Sequence, residues 1–281
     1  MENFNKSYNY FEEKKMQDES LVIVGDVTSN VLVLPDIHGR TFWKKPCEDI
    51  DEYDRVIFLG DYLDPYAFDG ISVPDAIENF KEIIEYKKKH GDKVILLIGN
   101  HDCPYAFKEY YSLSSYHCRH STIYHDEISK LFEKNKELFQ ICHIEGGVVF
   151  THAGIESGWL ENVVKYDGDN IFEMCDILND LTKTKKGLNK LYYVTSERGG
   201  MSKYGSCIWT DVHDMMYDQH INSDRPIVQI KQVFGHTIQG HYNSQGKVVY
   251  GEAQEFDNCK MVDTANAYVL DTGKFELTLI K

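Results

Sequence analysis

The stretch Val31-Leu-Val-Leu-Pro-Asp-Ile-His-Gly39 begins with four apolar residues and breaks off into proline, acid, histidine and glycine. A short run rich in Val, Ile, Leu and Phe that is closed by a turn former reads as a buried strand ending in a polar loop. The same figure recurs along the chain. Arg55-Val-Ile-Phe-Leu59 runs into Gly60-Asp-Tyr-Leu-Asp64, and Val94-Ile-Leu-Leu-Ile98 into Gly99-Asn-His-Asp102. Gly147-Val-Val-Phe150 runs into Thr151-His-Ala-Gly154, and Ile230-Lys-Gln-Val-Phe234 into Gly235-His-Thr237.

Helical patterns lie between these strands. Pro74 and Asp75 open one, Ile77, Phe80, Ile83 and Ile84 share its face, and Lys87-Lys-Lys-His90 close it, where cations suit the negative end of the helix dipole. Ile128, Leu131, Phe132, Leu138 and Phe139 suggest a second helix, and Ile171 to Leu181 a third. Asp167-Gly-Asp-Asn170 lacks the glycine and glutamate of a calcium loop, so it reads as a turn and N-cap before that third helix. The C-terminal runs Val248–Tyr250, Ala267–Leu270 and Phe275–Ile280 read as strands. Strand and helix alternating at the front, with strands at the back, predict a layered α/β sandwich. With no repeat or linker, residues 1–281 are expected to form a single domain. It would carry a polar N-terminal extension at 1–20 and a helical, Tyr-rich segment at 103–146 that walls a cleft.

Composition narrows the function classes. The 45 acidic against 30 basic side chains give a formal charge of −15, which disfavours a nucleic-acid partner. No apolar run approaches the ~20 residues that span a bilayer, and residues 1–20 lack the apolar core of a signal peptide, so a cytoplasmic protein is expected. The 7 cysteines are scattered and never spaced C-x-x-C, which argues against a zinc ribbon or a disulfide framework and for packing roles.

The five strand ends bear Asp36, His38, Asp61, Asn100, His152 and His236. In α/β folds the carboxyl ends of strands share one edge, where ligands bind. Carboxylates, an amide and imidazoles without thiolate suit Mn, Fe, Zn, Co or Mg. Six ligands are too many for one ion that must keep open positions, and they suit two ions sharing a carboxylate. Any one of these loops alone would be an ordinary polar strand end. Their joint occurrence is what points to a site.

These motifs, Asp36-Ile-His-Gly39, Gly60-Asp-Tyr-Leu-Asp64, Gly99-Asn-His-Asp102, His152-Ala-Gly154 and Gly235-His236, resemble those of calcineurin-like metallophosphoesterases over roughly residues 31–270. Within that superfamily they look most like the phosphoprotein phosphatase branch, which also holds diadenosine tetraphosphate hydrolases. The resemblance implies a four-layer α/β/β/α sandwich, two mixed sheets flanked by helices. It also implies two divalent ions, Mn foremost. Asp36 and His38 would hold one, Asn100, His152 and His236 the other, and Asp61 would bridge them. His101 would be the general acid and Asp64 its orienting carboxylate. Two cations about 3.5–4 Å apart can hold a hydroxide for in-line attack on phosphorus, and an imidazole acid contributes typically 10²–10⁴-fold.

The chain departs from the branch at one point: Pro65 and Tyr66 follow Asp64 where eukaryotic protein phosphatases carry Arg-Gly. The phosphate-gripping role then falls to Arg40, Arg198 or Arg225. The expected substrate is a phosphorylated protein or a small phosphorylated molecule, with a Ser/Thr phosphoprotein preferred. A dinucleoside polyphosphate is the alternative, suggested by His152-Ala-Gly-Ile155 with Trp159 nearby. From another class, the chain could be an inactive phosphoprotein-binding relative. The cluster His117, Cys118, Arg119, His120 and His125 reads either as a polar loop with substrate contacts or as a further metal site. Tyr110, Tyr111 and Tyr116 are expected in the cleft wall, and Asp263-Thr264 is read as structural.

Overall fold

Alternation within the first strand organises the interior. Val31 and Val33 face one way and Leu32 and Leu34 the other, and all four are fully buried, so both faces of this strand must be covered. The computed structural model describes residues 28–110 and 117–280; the 1–20 extension, Tyr111 and Tyr116 lie outside them. In chain order the strands are β1 (Asn30–Leu34), β2 (Arg55–Phe58), β3 (Val94–Leu97), β4 (Phe139–Gln140), β5 (Cys142–Glu145), β6 (Val148–Thr151) and β7 (Gln232–Phe234). They continue with β8 (Gly240–Tyr242), β9 (Val248–Tyr250), β10 (Gln254–Phe256), β11 (Cys259–Met261), β12 (Tyr268–Asp271) and β13 (Glu276–Leu279). The main helices are α1 (Val73–His90), α2 (His125–Lys134), α3 (Ile171–Asp180), α4 (Lys185–Leu191) and α5 (Val212–Ile221).

The strands form two mixed sheets, ordered β13-β12-β1-β2-β3-β4 and β10-β11-β7-β6-β5, with β8 and β9 as a separate ribbon. β1, β2, β3 and β4 run parallel, and so do β6, β7 and β11. Val31, Val33, Ile57, Leu59, Ile95 and Leu97 from the first sheet meet Val148, Phe150 and Val233 from the second. On the outer face of the first sheet, Leu32, Leu34, Val56, Phe58 and Leu96 pack with Ile77, Phe80 and Ile83 of α1 and Phe132 of α2. Val212 and Met215 of α5 cover Phe234 and Met261 on the second sheet. This is the four-layer sandwich, with helices outside two stacked sheets.

Helix α1 forms where its signals place it. Ser72 caps it by accepting from the backbone N–H of Asp75 at 3.2 Å, Pro74 sits in the first turn, and lysines fill the last. Phe80 is fully buried and lies 4.8 Å from the Phe132 ring. Asn170 likewise caps α3, its Oδ1 accepting from the backbone N–H groups of Phe172 and Glu173.

The second helical reading extends too far. α2 stops at Lys134, Asn135 turns back to donate to Leu131 O at 2.7 Å, and Phe139 joins a strand beside Leu96. Its apolar character serves the sheet rather than a helix face. Tyr110 also departs from expectation: it is fully buried and its hydroxyl accepts from Trp209 Nε1 at 2.6 Å, so it is core rather than cleft wall. No helix among the described residues is long and apolar enough to cross a membrane. All seven cysteines are unpaired, and only Cys175 is more than marginally exposed.

Candidate active site

The loops after β1, β2, β3, β6 and β7 meet at one edge, and their backbones show the strain of doing so. His38, Asp61, Asp64 and His236 have φ of 44°, 52°, 57° and 70°. The left-handed region costs a non-glycine residue roughly 1–2 kcal/mol, so the surrounding contacts must hold each one there. Two glycines are required by close approach: a Cβ on Gly99 would collide with Asp61 Oδ1, and one on Gly235 with Asp36 Oδ1. Asp102 ties two of the loops together. Its Oδ2 accepts from the backbone N–H groups of Asp61 and Gly99 at 2.7 and 2.9 Å, and its Oδ1 from that of Tyr62 at 3.0 Å.

Asp61 lies at the centre of the six expected ligands. Its Oδ2 is 3.5 Å from His38 Nε2 and 3.6 Å from His152 Nε2, and its Oδ1 accepts from the backbone N–H of His101 at 2.9 Å. His152 Nε2 lies 3.0 Å from Asn100 Oδ1 and 3.1 Å from His236 Nδ1. Asp36 Oδ1 accepts from the backbone N–H of His236 at 2.9 Å, which joins the β1 and β7 loops. All six are buried, at 7% exposure or less.

The ring tautomers follow from the acceptors behind each histidine. His38 Nδ1 faces Leu63 O at 2.7 Å and His152 Nδ1 faces Leu59 O at 2.9 Å. A carbonyl can only accept, so these Nδ1 atoms donate, and in the neutral ring each Nε2 turns a lone pair inward. The His152 lone pair then faces Asn100 Oδ1 and Asp61 Oδ2, which are acceptors too. His236 adds a buried Nε2 with no hydrogen-bond partner among the described residues. Converging lone pairs in a dry site repel one another unless a cation lies between them. The residues therefore fit divalent metal ions.

Charge states point the same way. Burial holds His38 well below the usual imidazole range against the opposing pull of the Asp61 charge, and burial with the Arg198 charge does the same for His236, so both rings are neutral. Burial opposes ionisation of Asp61, but His152 and His101, the latter also through its backbone N–H, outweigh it and bring its carboxyl down to about 2. Donor atoms of His38, Asp61 and His101 form one group, all within 4.8 Å of one another, and those of Asp61, His152 and His236 form a second. Cys118 contributes no thiolate: burial pushes its thiol well up, and it contacts the Asn100 amide from behind.

His101 Nδ1 faces Asp64 Oδ2 at 3.2 Å and Arg119 O at 3.0 Å, both acceptors, so this nitrogen carries a proton and Nε2 faces the cluster. Burial lowers its basicity, but Asp61 and Asp64 outweigh that and raise its pKa above the usual value. Asp64 is held in turn by the Tyr105 hydroxyl, which donates to Oδ1 at 2.5 Å.

The three expected arginines separate. Arg40 is buried and bound to Asp69, with Nη2 2.9 Å from Oδ2. Arg198 borders the cluster, with Nη2 3.4 Å from His236 O, but Asp211 pairs with its Nε at 2.8 Å. Arg225 is not brought to the cluster: it binds Glu161 at 2.6 Å and Ser157 at 3.3 Å.

Sequence reasoning passed over two features. Asp263 was read as structural, yet it is buried beside the site with Oδ1 unpartnered among the described residues. Burial and the Asp36 charge push its carboxyl well up. The Asp-Thr pair marked the position but not the crowding. Arg119 lies in the cluster expected as a polar loop with substrate contacts or as a further metal site, and no local pattern ties it to Asp64 and Tyr66.

The calcineurin-like phosphoesterase family model matches residues 29–240 and so takes in all five loops. The chain belongs to this family. It is therefore a phosphate-ester hydrolase whose relatives work with a pair of metal ions. No curated protein sequence matches it. Among solved structures, a cold-active protein tyrosine phosphatase is similar at 15% identity and TM-score 0.49, covering 90% of this chain and 79% of that one. A putative diadenosine tetraphosphatase matches at 15% identity and TM-score 0.43, covering 91% and 94%. A Ser/Thr protein phosphatase from Saccharomyces cerevisiae matches at 13% identity and TM-score 0.46, covering 86% and 72%.

Proposed function

We propose that this calcineurin-like phosphoesterase is a dinuclear metal-dependent phosphomonoesterase, with phosphoserine or phosphothreonine in a protein as its favoured substrate. The observation that carries the reading is the position of Asp61, whose carboxylate belongs to both donor groups and so can be shared by two ions. Asp36, His38 and Asp61 would hold one ion, and Asp61, Asn100, His152 and His236 the other. Nitrogen and oxygen donors without thiolate suit Mn, and also Fe, Zn, Co or Mg. Bound there, the ions would supply Lewis acidity and a water of lowered pKa.

The chain's own residues do the rest. Asn100, His152 and His236 keep their donor atoms converged, and burial excludes bulk water from around them. His101 keeps a proton on Nδ1 for Asp64 and Arg119 O, which leaves Nε2 to carry the proton delivered to the departing alkoxide. Asp64 stabilises the imidazolium and fixes the ring, and Tyr105 fixes Asp64. No nucleophilic side chain is required, so no phosphoenzyme should accumulate.

Of the two features that suggested the dinucleotide alternative, the His152-Ala-Gly-Ile155 string stands and Trp159 does not support it. Trp159 is fully buried and its Nε1 donates to Lys190 O at 2.9 Å, so its ring is not offered to a base. Seven unpaired cysteines suit a reducing compartment and support a cytoplasmic placement. Mn-loaded protein offered a Ser/Thr phosphopeptide and diadenosine tetraphosphate in parallel tests the reading. Faster phosphate release from the peptide is expected; preferential nucleotide release would move the assignment to dinucleoside polyphosphates, and no release from either would leave a binding protein.

A further inference from the structure

The loop after Asp64 carries Pro65 and Tyr66 where an arginine could have met the substrate, and Arg40, Arg198 and Arg225 are each bound to a carboxylate. Arg119 is not. No acid pairs with it among the described residues, and the residue is exposed. Its guanidinium is nevertheless held in place. Nη2 donates to Asp64 O at 3.1 Å, and Cζ lies 3.7 Å from the centre of the Tyr66 ring, the stacked arrangement a planar cation favours. The ring is braced in turn: it stacks on Phe68 at 4.9 Å and meets the His38 imidazole edge-on at 4.8 Å. The backbone of the same residue reaches the acid, since Arg119 O accepts from His101 Nδ1. One residue therefore touches the acid, the backbone carbonyl of the residue that orients it, and the ring packed on a candidate ligand.

We propose that Arg119, laid on Tyr66, grips the phosphoryl oxygens of the substrate and takes the role of the arginine missing from the Asp64 loop. The proposal rests on the phosphomonoesterase reading for its substrate, but not for its test. Asp64 O uses one N–H of the guanidinium, which leaves others to form charge-assisted hydrogen bonds to non-bridging oxygens. A cation in that place also discriminates by charge. A phosphomonoester dianion gains more from it than a diester monoanion, so the residue sets specificity as well as affinity. Because the same loop supplies the carbonyl behind His101, ordering of the guanidinium by phosphate is coupled to the seat of the acid.

The test is calorimetric titration of inorganic phosphate into Mn-loaded wild type, Arg119→Ala and Arg119→Lys, with Mn content measured on the same samples. The Ala variant should bind phosphate roughly 10–100-fold more weakly with unchanged Mn content, and the Lys variant should recover part of the loss. Unchanged phosphate affinity in Arg119→Ala, or a loss explained by lost Mn, overturns the proposal. Kinetics supply the second arm. kcat/KM for p-nitrophenyl phosphate should fall at least tenfold further than that for bis(p-nitrophenyl) phosphate, with partial rescue by added guanidinium; equal losses would mark Arg119 as merely structural. If wild type binds phosphate through Arg119 but hydrolyses neither ester, the grip stands and the phosphomonoesterase reading fails.

Discussion

The two ends of the same parallel strands use ionisable residues in opposite ways. At the entry end, Arg55, Glu145 and Asp54 each meet a complementary group. Arg55 Nε lies 2.6 Å from Glu145 Oε2, Ser29 Oγ donates to Glu145 Oε1 at 2.9 Å, and Asp54 Oδ2 accepts from the backbone N–H of Asn30 at 2.8 Å. At the exit end, acceptors crowd acceptors. Asp36, Asp61, Asn100 and the inward-facing Nε2 atoms of His38 and His152 converge, His38, Asp61 and His236 on left-handed backbone, and His236 Nε2 is left without a partner among the described residues. The hydrophobic layers between the ends are continuous, so the difference is not one of core packing. One end is complete as protein. The other becomes electrostatically complete only with cations and a phosphate anion.

That contrast can be tested by breaking each end separately. The largest effect is expected from Asp61→Asn, which removes the charge shared by both donor groups: phosphate release should drop beyond about 10³-fold, with loss of bound Mn by elemental analysis and little change in the melting curve of the stripped protein. Next comes His101→Asn. It should lower kcat roughly 10²–10³-fold on a phosphoserine peptide while sparing p-nitrophenyl phosphate, whose leaving group needs no proton, and Mn content should hold. A loss equal on both substrates would remove His101 from the acid role.

Asp102→Asn strikes the clasp behind the proposed ligands. Its carboxylate now accepts from three backbone N–H groups, and an amide would point one donor at them. Mn affinity should weaken about 10–100-fold in a dialysis series, the usual cost of disturbing a group that orients ligands. Unchanged Mn affinity would show that the loops hold themselves.

The smallest effect belongs to the entry end. Burial opposes ionisation of Glu145, but hydrogen bonds from His143 and Arg55 and the Arg55 charge bring its carboxyl from an ordinary 4.5 down to about 2. The folded value lies below the unfolded one, so the stabilisation is fully present above pH 4.5 and is lost as pH falls to 2. Glu145→Gln should therefore cost on the order of 2 kcal/mol of unfolding free energy at pH 7, and the cost should fade below pH 4. Phosphatase activity should be untouched. An activity loss in this variant would show that the two ends are not independent.

The sequence made the exit end far more readable than the entry end. Each site loop is local: an apolar run, then a polar break, within nine residues of chain such as Val31 to Gly39. The strands and α1 carry the same short-range signals. The pairings that seat the charges do not. Arg55 and Glu145 are 90 residues apart, and Arg119 reaches Asp64 across 55. Such contacts depend on sheet register and loop course, which leave no periodic trace. Tyr110 and Trp159 misled for a related reason, since an aromatic residue near a site motif reads alike whether it lines the cleft or fills the core. Phe139 misled because a buried aromatic serves a strand as readily as a helix end.

The most direct test is to strip the protein with chelator, restore Mn²⁺ stepwise by equilibrium dialysis, and follow bound Mn and phosphate release on the same samples. Wild type should take up roughly two ions per chain, with hydrolysis appearing as the second binds, and Asp61→Asn should lose both. A wild-type chain that takes up one ion or none, or one that hydrolyses phosphomonoesters fully while stripped, would contradict a shared carboxylate at the centre of the site.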